Sequence, residues 1–328
     1  MTGLIDRTLD LTVVPGYSRL GYGMRHLNWE DAVGRNDLSG RTVLVSGGSS
    51  GVGEAAAAGF ASAGADVHIL ARDHDRAVRA IGRIESRLPA SGGTIKLELC
   101  DLSDLSEVRR FAESFQARFD RLDLLVNNAG VLPQARSHTR DGVELTFATN
   151  VLGPFLLTSL FLPTLLAAAP ARVITVSSGG MYTARLRPED LQLENEPFDG
   201  TRFYAHTKRA QVALNQTWAE SFPADHIAFH AMHPGWVDTP GLRTSMPRFR
   251  RVMRPLLRDA RQGADTAVWL GSHPDLEPAT GGFWQDRAPR PEHRIRSTRE
   301  THEDRERLWR ECERLCTASE SPRAAAIC

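Results

Sequence analysis

Tyr204 and Lys208 stand four positions apart in the stretch YAHTK. On a helix that spacing puts a phenol and an ammonium on one face, one turn apart. The chain holds 40 Lys and Arg residues, yet only Lys96 and Lys208 are lysines. A free phenol titrates near pH 10, about three units too high for proton transfer at neutral pH. A cation fixed ~4–6 Å away can lower such a pKa by about 1–3 units. The pair therefore suits a proton transfer at a substrate oxygen. Arginine would serve poorly, because its fork is bulkier and never gives up its charge.

A second stretch, SGGSSGVGEAAAAGF at 46–60, follows an apolar run directly. A glycine turn between a strand and a helix can hold a pyrophosphate. Gly47 permits the tight turn, Gly51 lets the backbone approach the phosphates, and Gly53 lets the helix pack closely on the strand. The helix N-terminus adds unpaired N–H groups and a partial positive charge.

These residues need a frame, and the sequence supplies one. Apolar, β-branched runs at 42–46, 66–70, 94–99, 122–127, 172–176, 227–232 and 282–284 alternate with helical patterns such as 53–63, 105–119 and 205–221. Regular β-α alternation predicts an α/β fold, a Rossmann-type doubly wound parallel sheet in three α/β/α layers, as a single domain. Residues 1–40 fall outside it as an N-terminal arm, irregular or helical. The catalytic domain spans 41–286. Residues 287–328 carry Leu308, Trp309 and Leu315 on helical spacing, which predicts a C-terminal helix followed by a disordered end.

The glycine spacing is G-x-x-x-G-x-G, with Ser46 before it, rather than G-x-G-x-x-G. With CDLSD, NNAG, ATNVLG, VITVSSGG, YAHTK and HPGWVDTP in that order, the chain resembles the short-chain dehydrogenases/reductases. The resemblance covers about 40–285. It implies an NAD(P)-dependent oxidoreductase interconverting a carbonyl and an alcohol, with catalytic residues Asn150, Ser178, Tyr204 and Lys208. Tyr204 would be the acid/base, and the oxidised nicotinamide would add a second positive charge beside it. Ser178 would hydrogen-bond the substrate oxygen. Lys208 would touch the ribose, and Asn150 would hold a relay water. The cofactor would meet Gly47, Ser49, Ser50, Gly51, Val52 and Gly53. Asp101 and Leu102 would contact adenine, and Asn128, Ala129 and Gly130 would lie beneath the cofactor. Pro234, Gly235, Val237 and Thr239 would flank the carboxamide. Ala71 stands where an NAD-selecting acid would be, and Arg72 follows, which favours NADP(H) over NAD(H). Asp73 beside it would repel a phosphate if it pointed inward. VITVSSGGM, PFDGT, MHPGWVDTPG, QGADTAVWL and GFWQDR are similar to a mammalian dehydrogenase/reductase subgroup and its bacterial relatives, whose substrate the resemblance leaves undefined.

The substrate lid would occupy about 240–262. Phe249, Val252, Met253, Leu256 and Leu257 share one helical face there, among arginines, with Pro255 bending or interrupting a single helix. Such a face packs on core or substrate; a basic amphipathic helix can also rest on an anionic membrane surface. Met181, Leu186 and Trp236, placed beside Ser178 and the Pro-Gly turn, would line an apolar substrate pocket. His206 and His233 are weaker candidates, because the tyrosine already fills the acid/base role.

Forty acidic residues balance the basic ones, so charge gives no case for nucleic acid. Four cysteines without metal-ligand spacing suggest free thiols in a reducing cytosol and no metal site. The apolar stretch 155–169 is too short to span a bilayer and reads as a buried helix. A cytoplasmic location follows. That helix and the Tyr204 helix resemble a dimer-forming pair, which the terminal segments could instead cover. The alternative function is a non-catalytic NADP(H)-binding regulator or scaffold, which would need no proton relay.

Overall fold

Strand β1 (Thr42–Ser46) is buried from Val43 onward, as expected of a central strand covered on both faces. The protein is seen in a computed structural model that describes residues 2–27, 29 and 37–318. Three short helices form the arm: α1 (Thr2–Leu11), α2 (Val13–Tyr17) and α3 (Arg19–His26). After β1 come α4 (Gly51–Ser62), β2 (Asp66–Ala71), α5 (His74–Glu85), β3 (Thr94–Leu99), α6 (Leu105–Gln116) and β4 (Leu124–Asn127). Helix α7 (Leu145–Phe147) passes through a π turn (Ala148–Leu152) into α8 (Gly153–Ala167). Then follow β5 (Ala171–Val176), α9 (Gly200–Ser221), β6 (Ile227–Met232), the lid helices α10 (Pro240–Ser245) and α11 (Pro247–Met253), and α12 (Ala260–Ser272). Strands β7 (Phe283–Gln285) and β8 (Ala288–Pro289) and helix α13 (His302–Ala318) complete the described chain.

The sheet order is β3-β2-β1-β4-β5-β6-β7-β8. All pairs are parallel except β7–β8, a two-residue antiparallel addition that the sequence reading did not foresee. Alternate residues feed two cores. Val43, Val45, Val67 and Ile69 face α4, α5 and α12, whereas Leu44, Leu125 and Val173 face α6, α8 and α9.

One expectation changes here. The helical run that takes up most of 155–169 extends from Leu145 to Ala167, 23 residues, so length alone would allow a span. Burial argues for the core instead: Phe155, Leu157, Phe161 and Leu165 pack against the sheet and α6. The lid helix is interrupted at Pro255, one of the two outcomes expected of it. Pro255 falls in a 3-10 turn (Arg254–Leu256) after α11, which rotates the later residues off the first face. Val252 is 76% exposed, while Leu257 beyond the turn is buried.

The arm is held by charge. Arg25 donates to Asp6 at 2.7 Å and to Asp286 at 2.6 Å. Buried Arg258 meets the same Asp286 carboxylate at 2.5 and 2.8 Å. Asp286 and Arg287 form the β7–β8 turn with φ of 53° and 57°. Helix α13 buries Leu308, Cys312 and Cys316. Cys100 and Cys312 are free thiols; Cys328 and the tail expected to be disordered lie outside the described residues.

Candidate active site

A cleft of about 980 Å³ opens at the carboxyl ends of the strands, where the order reverses between β1 and β4. Every residue assigned above to the cofactor lines it. Gly47, Ser49, Ser50, Gly51, Val52 and Gly53 come from the first turn, Arg72 from the end of β2, and Asp101 and Leu102 from beyond β3. Asn128, Ala129 and Gly130 follow β4, Tyr204 and Lys208 sit on α9, and Pro234, Gly235, Val237 and Thr239 follow β6.

The glycine turn is locked to the NNAG turn. Gly47 has φ of 69°, and a Cβ there would fall 2.9 Å from Ala129 Cα. Ser46 Oγ accepts from the Asn128 and Ala129 amides at 3.0 and 3.1 Å, and Asn128 Nδ2 donates to Ser46 O at 2.8 Å. Ser50 precedes α4 without bonding the helix through its side chain. The first-turn N–H groups of α4 thus remain for an anion. This cradle fits a dinucleotide pyrophosphate.

At the floor, the Ser178 hydroxyl lies just past β5, accepts from Gly180 N at 3.2 Å and lies close enough to the Tyr204 phenol to act on its titration. Lys208 is 2% exposed. Its Nζ lies 5.4 Å from the centre of the Tyr204 ring and donates to Val176 O at 2.9 Å and Gln211 Oε1 at 3.0 Å. Burial dominates both titrations. It pushes Tyr204 up to about 12, opposed by the Ser178 hydroxyl, and Lys208 down to about 7. The expectation that Lys208 lowers the phenol pKa is therefore not met by the protein's own groups. Among apolar walls each charged form loses its hydration, and that loss dominates both titrations.

Asn150 sits in the π turn behind the cleft, not on its surface. Its side chain accepts from Val131 N at 2.8 Å and donates to Val131 O and Thr207 Oγ1 at 3.1 and 3.0 Å. Its carbonyl accepts from Gln211 Nε2 at 2.5 Å. Asn150 thus braces the loop after β4 against α9, and its link to Lys208 runs through Gln211.

Of the three residues expected in the substrate pocket, only Trp236 lines the cleft. Met181 and Leu186 are buried elsewhere. The 3-10 turn Gly179–Thr183 sends Met181 into a cluster with Tyr17, Tyr182 and Phe283, while Leu186 joins the core of α6 and α8. The apolar wall is instead built by Leu132, Leu145, Leu242, Met246 and Phe249 beside Trp236. Asp238 ties the lid down through Arg250 at 2.7 Å and Arg243 at 3.2 Å; these arginines lower its pKa to about 2. His206 accepts from Arg187 N, and His233 from Gly235 N. Burial drives them down to about 4 and about 3, which leaves both neutral.

Three contributors were missed. Arg76, four residues past Arg72, also lines the cleft; its signal was an arginine in a helix's first turn, where the dipole disfavours a cation. Gln211 lies one turn past Lys208 on the same face. Tyr17 comes from the arm: its carbonyl accepts from Trp236 N at 2.8 Å, and its ring packs 4.6 Å from His233. Asp73 N-caps α5, accepting from Arg76 N at 2.9 Å. Among the described residues, Glu292, His293 and Glu300 also gather potential ligand atoms within 4.8 Å. They lie away from the cleft, and the buried Arg209 guanidinium 4.0 Å from Glu300 already supplies positive charge.

The short chain dehydrogenase family model matches residues 41–248. Dehydrogenase/reductase SDR family member 12 of Bos taurus is 45% identical over 258 residues, 78% of this chain and 80% of that protein. This is the subgroup whose motifs the sequence resembles. Human retinol dehydrogenase 12 is 35% identical over 251 residues, 76% of this chain and 78% of its own. Among solved structures, the Pseudomonas aeruginosa RhlG/NADP active-site complex superposes with a TM-score of 0.61 at 27% identity, covering 75% of this chain and 94% of that one.

Proposed function

The chain belongs to the short chain dehydrogenase/reductase family of NAD(P)-binding oxidoreductases, and from that premise we propose that it reduces an apolar ketone or aldehyde with NADPH. The observation that carries this reading is the Ser178–Tyr204–Lys208 group at the floor of a cleft lined by the glycine turn. Bound NADP(H) would exchange a hydride with the substrate carbon. The protein's part is the proton and the charge. A phenol pushed up to about 12 by burial is protonated at neutral pH, the form that can donate to a carbonyl oxygen. Ser178 donates to the same oxygen and stabilises the charge that develops there.

The preference for NADP(H) rests on Arg72 and Arg76 together, beside the small Ala71. Two guanidinium groups suit a 2′-phosphate, and the Asp73 carboxylate is engaged at the start of α5. Leu132, Leu145, Met246, Phe249 and Trp236 give the substrate end an apolar lining, which supports a lipophilic carbonyl compound. The buried α8 supports a protein that works in the cytoplasm rather than across a membrane. The exposed Arg248, Arg251 and Arg254 with Val252 leave weak contact of the lid with an anionic membrane surface as a secondary reading.

The test is a panel of carbonyls and alcohols followed by NADPH absorbance, with Tyr204→Phe beside the wild type. The variant should lose at least about a hundredfold in kcat, the scale of an acid/base group, and keep NADPH binding by cofactor fluorescence. Normal turnover in Tyr204→Phe, or NADPH binding with no turnover of any panel member, would favour the regulator reading.

A further inference from the structure

We infer that Gln211 is a positioning residue for Lys208: its amide holds the ammonium with the oxygen end and anchors itself on the Asn150 carbonyl with the nitrogen end. The inference rests on the reading of Tyr204 and Lys208 as the proton-transfer pair, and goes beyond it by naming what fixes the lysine.

The geometry leaves the amide one orientation. Gln211 Oε1 lies 3.0 Å from Lys208 Nζ, and an ammonium can only donate, so the oxygen must face it. Gln211 Nε2 lies 2.5 Å from Asn150 O, and a carbonyl can only accept, so the nitrogen must face that way. Both ends are satisfied at once and Gln211 is buried, so the amide has neither a reason nor the room to turn over. Val176 O takes a second ammonium hydrogen at 2.9 Å. Two of the three N–H directions are thus fixed by β5 and by Gln211, and Lys208 lines the cleft.

This arrangement also maintains charge. Among the described residues, the titratable group facing Nζ is the Tyr204 phenol on the same helix; β5 and the π turn offer carbonyls, and no carboxylate is paired with it. Burial alone pulls the lysine down to about 7. A carbonyl-type acceptor at 3.0 Å favours the charged form and opposes that pull.

The chain's composition makes the test direct, since Lys96 and Lys208 are its only lysines. Lysine labelled with carbon-13 at Cε gives two resonances, and Lys96, paired with Asp66 at 2.8 Å on the far edge strand, is the internal control. In Gln211→Leu the Lys208 midpoint should fall by about one unit, and in Gln211→Glu it should rise, with Lys96 unmoved in both. In turnover, Gln211→Leu should lose about tenfold in kcat/KM at pH 8 and about twofold at pH 6, because one unit is a tenfold change in the charged fraction above the midpoint. If Gln211→Leu does not fold, the Gln211→Glu shift decides. A Lys208 midpoint unchanged in the folded variants, or moved the same way in both, overturns the inference. The titration needs no turnover, so a failed substrate panel would sink the oxidoreductase reading and still leave this one decided.

Discussion

At the scale of single residues, the site shows two charges being set by burial. Lys208 keeps its ammonium below about pH 7 and loses it as pH rises through that value, because its pKa is depressed. A step that needs the ammonium should therefore weaken above neutrality, while Tyr204, held near 12, stays protonated throughout. Lys208→Arg separates charge from shape. The guanidinium stays charged at every working pH, so its rate profile should be flat across pH 6–9. Its fork does not fit a slot built for one nitrogen between Val176 O and Gln211 Oε1, so kcat should be about a hundredfold lower. Steady-state kinetics across that range check both statements, and a variant with wild-type rate at pH 6 would contradict the fit argument. At the other end of the cleft, Arg72→Ala with Arg76→Ala should raise KM for NADPH by at least about tenfold and change KM for NADH little, since each lost guanidinium–phosphate contact is a charge-assisted bond. Equal effects on the two cofactors would assign these arginines to the surface. The residue types of this machinery were legible in the sequence because its spacings are local: Tyr204 and Lys208 share one turn, and the glycines share another. Met181 and Leu186 were misplaced because proximity to Ser178 in sequence does not say which wall a 3-10 turn will face.

At the scale of elements, the strands were legible nearly to the residue, since β-branched runs and parallel burial leave little choice. The arm was not. What seats it is a set of ion pairs between distant parts of the chain, such as Arg25 with Asp286, and no local pattern encodes such a partner. The consequence reaches the site. Gly16 O accepts from Arg25, Arg258 and Gln285, while Arg258 also donates to Pro234 O. The Tyr17 ring presses on Gly179, where a Cβ would fall 2.4 Å from it. The arm thus supports both the Ser178 turn and the Pro-Gly turn from behind. Asp286→Asn leaves two buried guanidinium groups facing a neutral amide. That should cost about 3–5 kcal/mol, the scale for stranding one side of a buried pair. The loss should appear as a lower denaturation midpoint and as faster amide exchange in α2 and α3, with NADPH affinity falling as the Pro-Gly turn loosens. Exchange confined to the β7–β8 turn would show that the arm is seated by apolar contacts alone.

At the scale of the whole molecule, α13 decides which faces of the fold remain available. It lies against α9 and the start of α8, where Trp309 packs 4.4 Å from Trp218 and 5.0 Å from Phe155. Leu308, Cys312 and Cys316 are buried in the same core, and Arg109 ties the helix end to α6 through Cys316 O at 2.8 Å. The pair of helices considered above as a dimer face is thus covered, in part, by the chain's own terminus. The prediction is that the full chain stays monomeric at micromolar concentration. A chain ending at Thr301 should expose Phe155, Trp218 and Leu214 together. It should lose about 5 kcal/mol, from two or more fully buried side chains at ~1.5–3 kcal/mol each, and it should self-associate, because an apolar patch of that size favours a partner. Sedimentation equilibrium on both chains checks this. A full-length dimer that survives the truncation would place the interface elsewhere, whereas a full-length dimer that dissociates on truncation would make α13 part of the interface rather than its cover.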